Sequence, residues 1–202
     1  MPPEWQSQSH AALERFKQHY LEGNTRLAQR SFAEAKAAVA STGRPELVAR
    51  VELFRCALGT AALDVEACAE FESAKIDATA EDRVYADFLS GGLRERDARM
   101  LPSQYRGIAT AGDDGSRNSA LRQIEDPVSR LVAAGVLFQF AQLSPEGLST
   151  AIDTASEQGY RRALLAYLNV QAKRAESAGD TGALESVRKR IDLVYQSMPT
   201  PR

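Results

Sequence analysis

Residues 20–35 read YLEGNTRLAQRSFAEA, and residues 175–191 read AESAGDTGALESVRKRI. In each stretch a helix-spaced apolar pattern stops at a Gly, meets Asn or Asp, and resumes at once. Gly23 and Gly179 suit the left-handed turn that ends a helix, and Asn24, Thr25 or Asp180 suits the start of the next. Tyr20 precedes the first turn, and Ala28, Phe32 and Ala35 follow it. Ala175 precedes the second, and Leu184, Val187, Ile191 and Val194 follow it. Each stretch predicts two antiparallel helices whose apolar face needs a neighbour to cover it. Recurrence of such hairpins is the sequence form of a helical stack.

Working outward, the spacing predicts helices over about 4–22, 25–40 and 45–62. Pro45 stands at a first helical position, where its missing N–H is harmless. A short helix follows Asp64, reaching about Glu72, and another covers about 80–89. Gly91-Gly92, Pro102, Gly107, Gly112 and Gly115 then interrupt the rhythm, and Gly112 to Ser116 is read as an exposed hinge loop. Further helices are expected over about 119–125, 127–142, 145–158, 161–178 and 181–197. Leu148, Ala151 and Ala155 superimpose on Leu184, Val187 and Ile191 with an offset near 36 residues, close to one helix–turn–helix repeat. The fold class is therefore all-α, as antiparallel hairpins stacked in a short α-solenoid. The whole chain, 1–202, reads as one domain, with lobes at 4–111 and 117–198 as an option. Phe32, Phe54 and Leu131 are expected between hairpins.

The run Gly23, Ala28, Phe32, Ala35 resembles the second half of a tetratricopeptide repeat, and Leu148, Ile152 and Ala155 fit the same spacing with substitutions. The family's first-helix Trp and Leu-Gly pair and its repeat-ending Pro do not stand at their places. The resemblance implies a curved stack whose groove binds peptides or partner proteins. The stretch from Ala49 to Ser90 is also similar in style to exported proteobacterial proteins of tetratricopeptide type, a likeness that implies no particular activity.

Composition narrows the function classes. A net charge of −2 gives no general attraction for polyanions, so nucleic acid is not expected as a partner. Arg83, Arg94, Arg96, Arg99 and Arg106 are interleaved with Glu81, Asp82, Asp87, Glu95 and Asp97, which reads as a solvated face. The longest uncharged run, Leu131 to Pro145, is shorter than the roughly 18 apolar residues of a membrane span. It is read as a helix buried mid-stack. Met1-Pro2-Pro3 before an amphipathic helix looks like a linker stub. If an export signal was removed upstream, with or without a lipid anchor, the location is periplasmic or envelope-associated; otherwise it is cytoplasmic.

Chemistry is sparse. His10 and His19 lie nine positions apart on one helix, about half a turn out of phase, and do not share a metal. No zinc spacing, phosphate-binding loop, dinucleotide fingerprint or nucleophile elbow occurs, so no catalytic residue, metal or cofactor is assigned. Asp113-Asp114-Gly115 lacks the ligand alternation of a calcium loop and is read as a turn. Cys56 and Cys68 lie at equal distance from the turn at Ala61–Asp64, where hairpin partners meet. Two readings stand: a disulfide closing a loop of about 13 residues, or two reduced thiols acting as small apolar groups. Tyr85, Tyr105, Arg106, Tyr160 and Arg161 are the groove candidates by residue type. The leading expectation is a non-enzymatic interaction or assembly scaffold with a protein or peptide partner. The alternatives are a small-molecule-binding or enzymatic domain with a pocket between lobes, and a subunit that stacks on itself.

Overall fold

Gly23 turns the chain with φ of 88° between α1 (Glu4–Glu22) and α2 (Thr25–Ala40). In this computed structural model, which describes residues 1–199, those two helices form the closest-packed pair. Phe16 meets Phe32 at 5.0 Å between ring centres and Tyr20 at 5.6 Å, an aromatic seam that fixes how the helices face each other. α3 (Pro45–Ala61) follows against α2.

A 3-10 turn (Val65–Cys68), α4 (Ala69–Ala74), a second 3-10 turn (Lys75–Asp77) and α5 (Ala80–Ser90) come next. After a third 3-10 turn (Glu95–Met100), α6 (Ser103–Thr110) and α7 (Asp114–Gln123) lead into α8 (Pro127–Gln139), α9 (Pro145–Gln158), α10 (Arg161–Ser177) and α11 (Thr181–Gln196). No strand occurs among the described residues, so the all-α expectation holds.

α3 and α8 form the centre. α8 buries every residue from Leu131 to Leu137, and α3 is buried on nearly all sides from Leu53 to Ala61, apart from the half-buried Phe54 and Arg55. They pack directly on each other although four α-helices, α4 to α7, separate them in sequence. The approach is tight because Gly135 has no side chain: a Cβ there would stand 1.9 Å from the Thr60 carbonyl oxygen. α8, α9, α10 and α11 then pack in sequence, and α10 returns to touch α1. Sequential hairpins thus lie at both ends, and long-range contacts α3–α8 and α1–α10 join them. One connected cluster of buried apolar side chains runs from Phe16 to Val187.

Three expectations about the middle change. Gly112 to Ser116 is not a hinge loop. Asp113 accepts a hydrogen bond from the Ser116 N–H and Ser116 Oγ accepts from the Asp113 N–H, so α7 starts at Asp114. The sequence carried this capping box, with Ser in place of the usual Glu at its last position. The helix Ser103–Thr110 was not read at all, because Gly107 lies inside it. α8 ends at Gln139 rather than Gln142, since Ala141 takes a left-handed φ of 54° and the Gln142 N–H donates back to the Leu137 carbonyl. Phe32 and Leu131 are buried, whereas Phe54 is only half-buried.

Candidate binding clefts

The cysteines are joined. Cys56 on α3 and Cys68 in the first 3-10 turn form a disulfide with Cα atoms 4.2 Å apart. The turn between them is held on α3 by more than sulfur. Gly59 lets Ala67 sit where its own Cβ would be, 2.3 Å from that of Ala67, and the Asp64 N–H donates to the Gly59 carbonyl at 2.8 Å. Leu63 is forced into the left-handed region, φ 60°, a conformation that non-glycine residues keep only when their surroundings impose it.

The five groove candidates have internal roles. Tyr85 of α5 stacks on Tyr105 of α6, ring centres 5.5 Å apart, with Phe88 against both. The Tyr85 hydroxyl donates to that of Tyr105, and burial pushes both phenols above their ordinary range. Arg106 donates from Nε to the carbonyl of Leu101, which ends the 3-10 turn before its own helix. Tyr160 is buried at the α9–α10 junction.

Arg161 donates from Nε to the Glu22 carbonyl at 2.9 Å and from a terminal nitrogen to the Ser197 carbonyl at 3.1 Å. Its neighbour Arg162, not singled out from sequence, donates from Nε to the Tyr20 carbonyl at 2.6 Å and to Thr25 Oγ1 at 2.7 Å. Both arginines stand in the first turn of α10, the wrong end for its own dipole. They serve the last turn of α1, whose free carbonyls carry the negative end. None of the five candidates lines either of the clefts below.

The first cleft, about 630 Å³, lies between the start of α1, the end of α2 and the first half of α3. Trp5, Leu13, Val39, Leu47, Val51 and Phe54 form its apolar wall, and His10, Gln6, Ser7 and Arg50 stand at it as polar groups. Arg50 is fixed by an ion pair with Asp82 of α5, Nε to Oδ2 3.0 Å. Trp5, Leu13, Leu47 and Phe54 are half-buried rather than sealed. Their spacing reads as core in sequence. Only the splay between α1 and α3 leaves them reachable.

The second cleft, about 410 Å³, lies on the other side of the N-terminal aromatic seam, walled by Phe16, Tyr20, Ala28, Phe32 and the segment around Asp64 to Glu70, with Arg55 and Arg162. The Tyr20 hydroxyl donates to Asp64 Oδ2 at 3.1 Å, and the Arg162 guanidinium lies 4.5 Å over the Tyr20 ring. Desolvation first, and the Asp64 carboxylate second, hold the Tyr20 phenol far above its ordinary range, so it stays a proton donor. Arg55 lies 4.4 Å over the Phe32 ring and pairs with Glu52, a carboxylate 2 % exposed that also binds Lys36 at 2.8 Å. Sequence reading missed Arg55, Asp64 and Arg162. No local signal singled out Arg55, since α3 also carries Glu46, Arg50 and Glu52.

Among the described residues no group of three or more His, Cys, Asp or Glu converges as a metal ion requires, and no helix is long and apolar enough to cross a membrane. No family model matches this chain, and comparison with curated proteins and with solved structures finds no significant relative.

Proposed function

We propose that this chain is a non-enzymatic interaction or assembly module built of stacked helical hairpins of tetratricopeptide type. Its partner is a protein segment that lays an apolar side-chain stripe into the cleft at Trp5. The observation that supports this most is the cleft itself: half-buried apolar groups of α1 and α3 over the buried Val39 and Val51, with polar groups among them, on a scale suited to ligand side chains. Trp and other aromatic groups in such clefts are common anchors of binding energy. The hairpins at the two ends of the chain favour the repeat reading. The Cys56–Cys68 bond supports a periplasmic or envelope location, because disulfides persist in oxidising compartments.

Selection of a random peptide library displayed on phage tests the binding site. Enriched sequences should carry apolar residues at helical or alternate spacing, quench or shift Trp5 fluorescence, and lose binding to Leu47→Glu. Enrichment that is equal on wild type and Leu47→Glu would place the partner elsewhere.

A further inference from the structure

The Cys56–Cys68 bond stands at one end of a line of contacts whose other end is the junction of α1 with α10. Asp64 lies in the loop that the bond closes, and its neighbours on both sides place it. On one side Leu63 keeps a left-handed φ of 60°. Its N–H donates to the Thr60 carbonyl at 3.1 Å, and the Asp64 N–H donates to the Gly59 carbonyl at 2.8 Å. On the other side Ala67 rests on Gly59, and Cys68 is tied to α3. So placed, Asp64 Oδ2 accepts from the Tyr20 hydroxyl at 3.1 Å. Tyr20 is also what Arg162 holds: the guanidinium lies 4.5 Å over its ring, and Nε donates to its carbonyl at 2.6 Å. Asp64, Tyr20 and Arg162 thus join three segments of the chain, with Tyr20 lying 44 residues from Asp64 and 142 from Arg162.

A residue held in the left-handed region by its surroundings relaxes when one of them lets go. Cutting the crosslink frees the far side of the loop, so Leu63 leaves its φ of 60° more readily and draws the Asp64 carboxylate from Tyr20. The phenol then loses its acceptor, and the ring that carries Arg162 loses an anchor. We propose that the Cys56–Cys68 disulfide is a redox latch on the closure of the chain: oxidised, it fastens Asp64 to Tyr20 and so supports the α1–α10 junction at Arg162; reduced, it lets that junction loosen while the hairpins stay folded. The reductant is a dithiol. Its thiolate attacks Sγ of Cys68, which is half-buried beside the exposed Ala69 and Glu70, whereas Cys56 is buried in α3. The Sγ–Sγ bond breaks, and Cys56 leaves as a thiolate and takes up a proton. The second thiol of the reductant then displaces Cys68, which is protonated as the reductant becomes a disulfide. Coupling of this kind is reciprocal, so the closed junction also favours the oxidised pair. The latch acts whether or not either cleft binds a partner, and it is independent of the peptide-binding reading.

Hydrogen exchange of the oxidised protein and of the protein reduced with dithiothreitol tests the latch. On reduction, amides in the last turn of α1 and the first two turns of α10 should lose protection together, by about five- to a hundredfold, the usual size of coupling between sites. Amides of the central α8 should stay as they were. The double variant Cys56→Ala, Cys68→Ala should show the same loss with no reductant present. Tyr20→Phe keeps the ring under Arg162 and removes only the hydroxyl. In that variant reduction should no longer reach α1 and α10. Its disulfide, equilibrated with reduced and oxidised dithiothreitol, should be easier to reduce by a similar factor, as reciprocity requires. Protection lost only within residues 61–70 would make the bond a local crosslink and overturn the latch. A Tyr20→Phe disulfide as hard to reduce as wild type, or an equal loss of protection in every helix, would overturn it too.

Discussion

Gly135 shows at the scale of one residue how the core is set. Its missing side chain lets α8 rest on the Thr60 carbonyl, and that neighbour is backbone, which does not swing aside. Gly135→Ala should therefore destabilise the protein by about 2–3 kcal/mol, the upper range for overpacking. Gly112→Ala, with nothing within 4 Å of the added carbon, should be neutral or slightly stabilising. Urea denaturation of both variants checks the pair, and a Gly135→Ala midpoint equal to wild type would mean the α3–α8 seam is wrong.

The tyrosines give a second residue-scale test. Five of the six, Tyr20, Tyr85, Tyr105, Tyr160 and Tyr167, have phenols raised above the ordinary value, in each case first by desolvation. A raised phenol binds its proton more tightly when folded than unfolded. Its stabilising contribution is thus complete below about pH 10, where the unfolded phenol begins to ionise, and is lost as pH climbs toward the folded value. Stability should fall between pH 10 and 12, by up to about 1.4 kcal/mol per pH unit for a fully buried phenol such as Tyr167. Phenolate absorbance of the native protein should lag that of the urea-unfolded protein over the same range. Superimposable titrations would contradict the burial.

At the scale of elements, the disulfide ties α3 to the first 3-10 turn across a separation of 12 residues. The loop-entropy treatment assigns such a crosslink about 3 kcal/mol, so reduction should lower the melting temperature by about 6–12 °C in a chain of this size. The turn keeps other anchors, namely Gly59 against Ala67, the Tyr20–Asp64 bond and the buried Phe71. The reduced protein should accordingly stay folded and helical. Calorimetry with and without a reductant reads the shift, and thiol labelling of denatured, non-reduced protein reads the bond: modification of both cysteines would remove it. A second element-scale feature is Ser144, which caps α9 through the Gly147 N–H and donates to Asn118 of α7. It explains how the irregular middle of the chain is fastened to the regular C-terminal half.

At the scale of the whole molecule, Arg161 and Arg162 close the chain on itself. Their hydrogen bonds reach α1 across 139 and 142 residues of sequence. Removing Arg162 leaves the Tyr20 carbonyl and the Thr25 hydroxyl without it and strips the cation from the Tyr20 ring. Arg162→Ala should cost about 2–4 kcal/mol, given about 1.5–3 kcal/mol for each hydrogen bond to a charged group, less what solvent restores. Hydrogen exchange should show α1 and α10 losing protection together. Loss confined to α10 would mean the two ends are not coupled.

The helices of the regular segments were determined by sequence alone. α1, α2, α9 and both Gly-Asx turns were legible because apolar spacing, glycine and a capping side chain act over a few residues. The all-α class followed from the same local signals. The middle was harder: α6 contains Gly107, and the cap of α7 uses Ser116 where Glu is usual. Tertiary structure decided what the side chains are for. Trp5, Leu47 and Phe54 carry a core pattern yet stand at an open cleft, because exposure depends on how far α1 and α3 diverge. Tyr85 and Arg161 have the chemistry of a binding site yet are engaged internally. Arg162 joins Asp64 at Tyr20 only because α10 returns to α1. Local sequence sets which backbone conformation each segment prefers. Which distant groups share a volume is set by packing of the whole chain, and no short-range pattern encodes that.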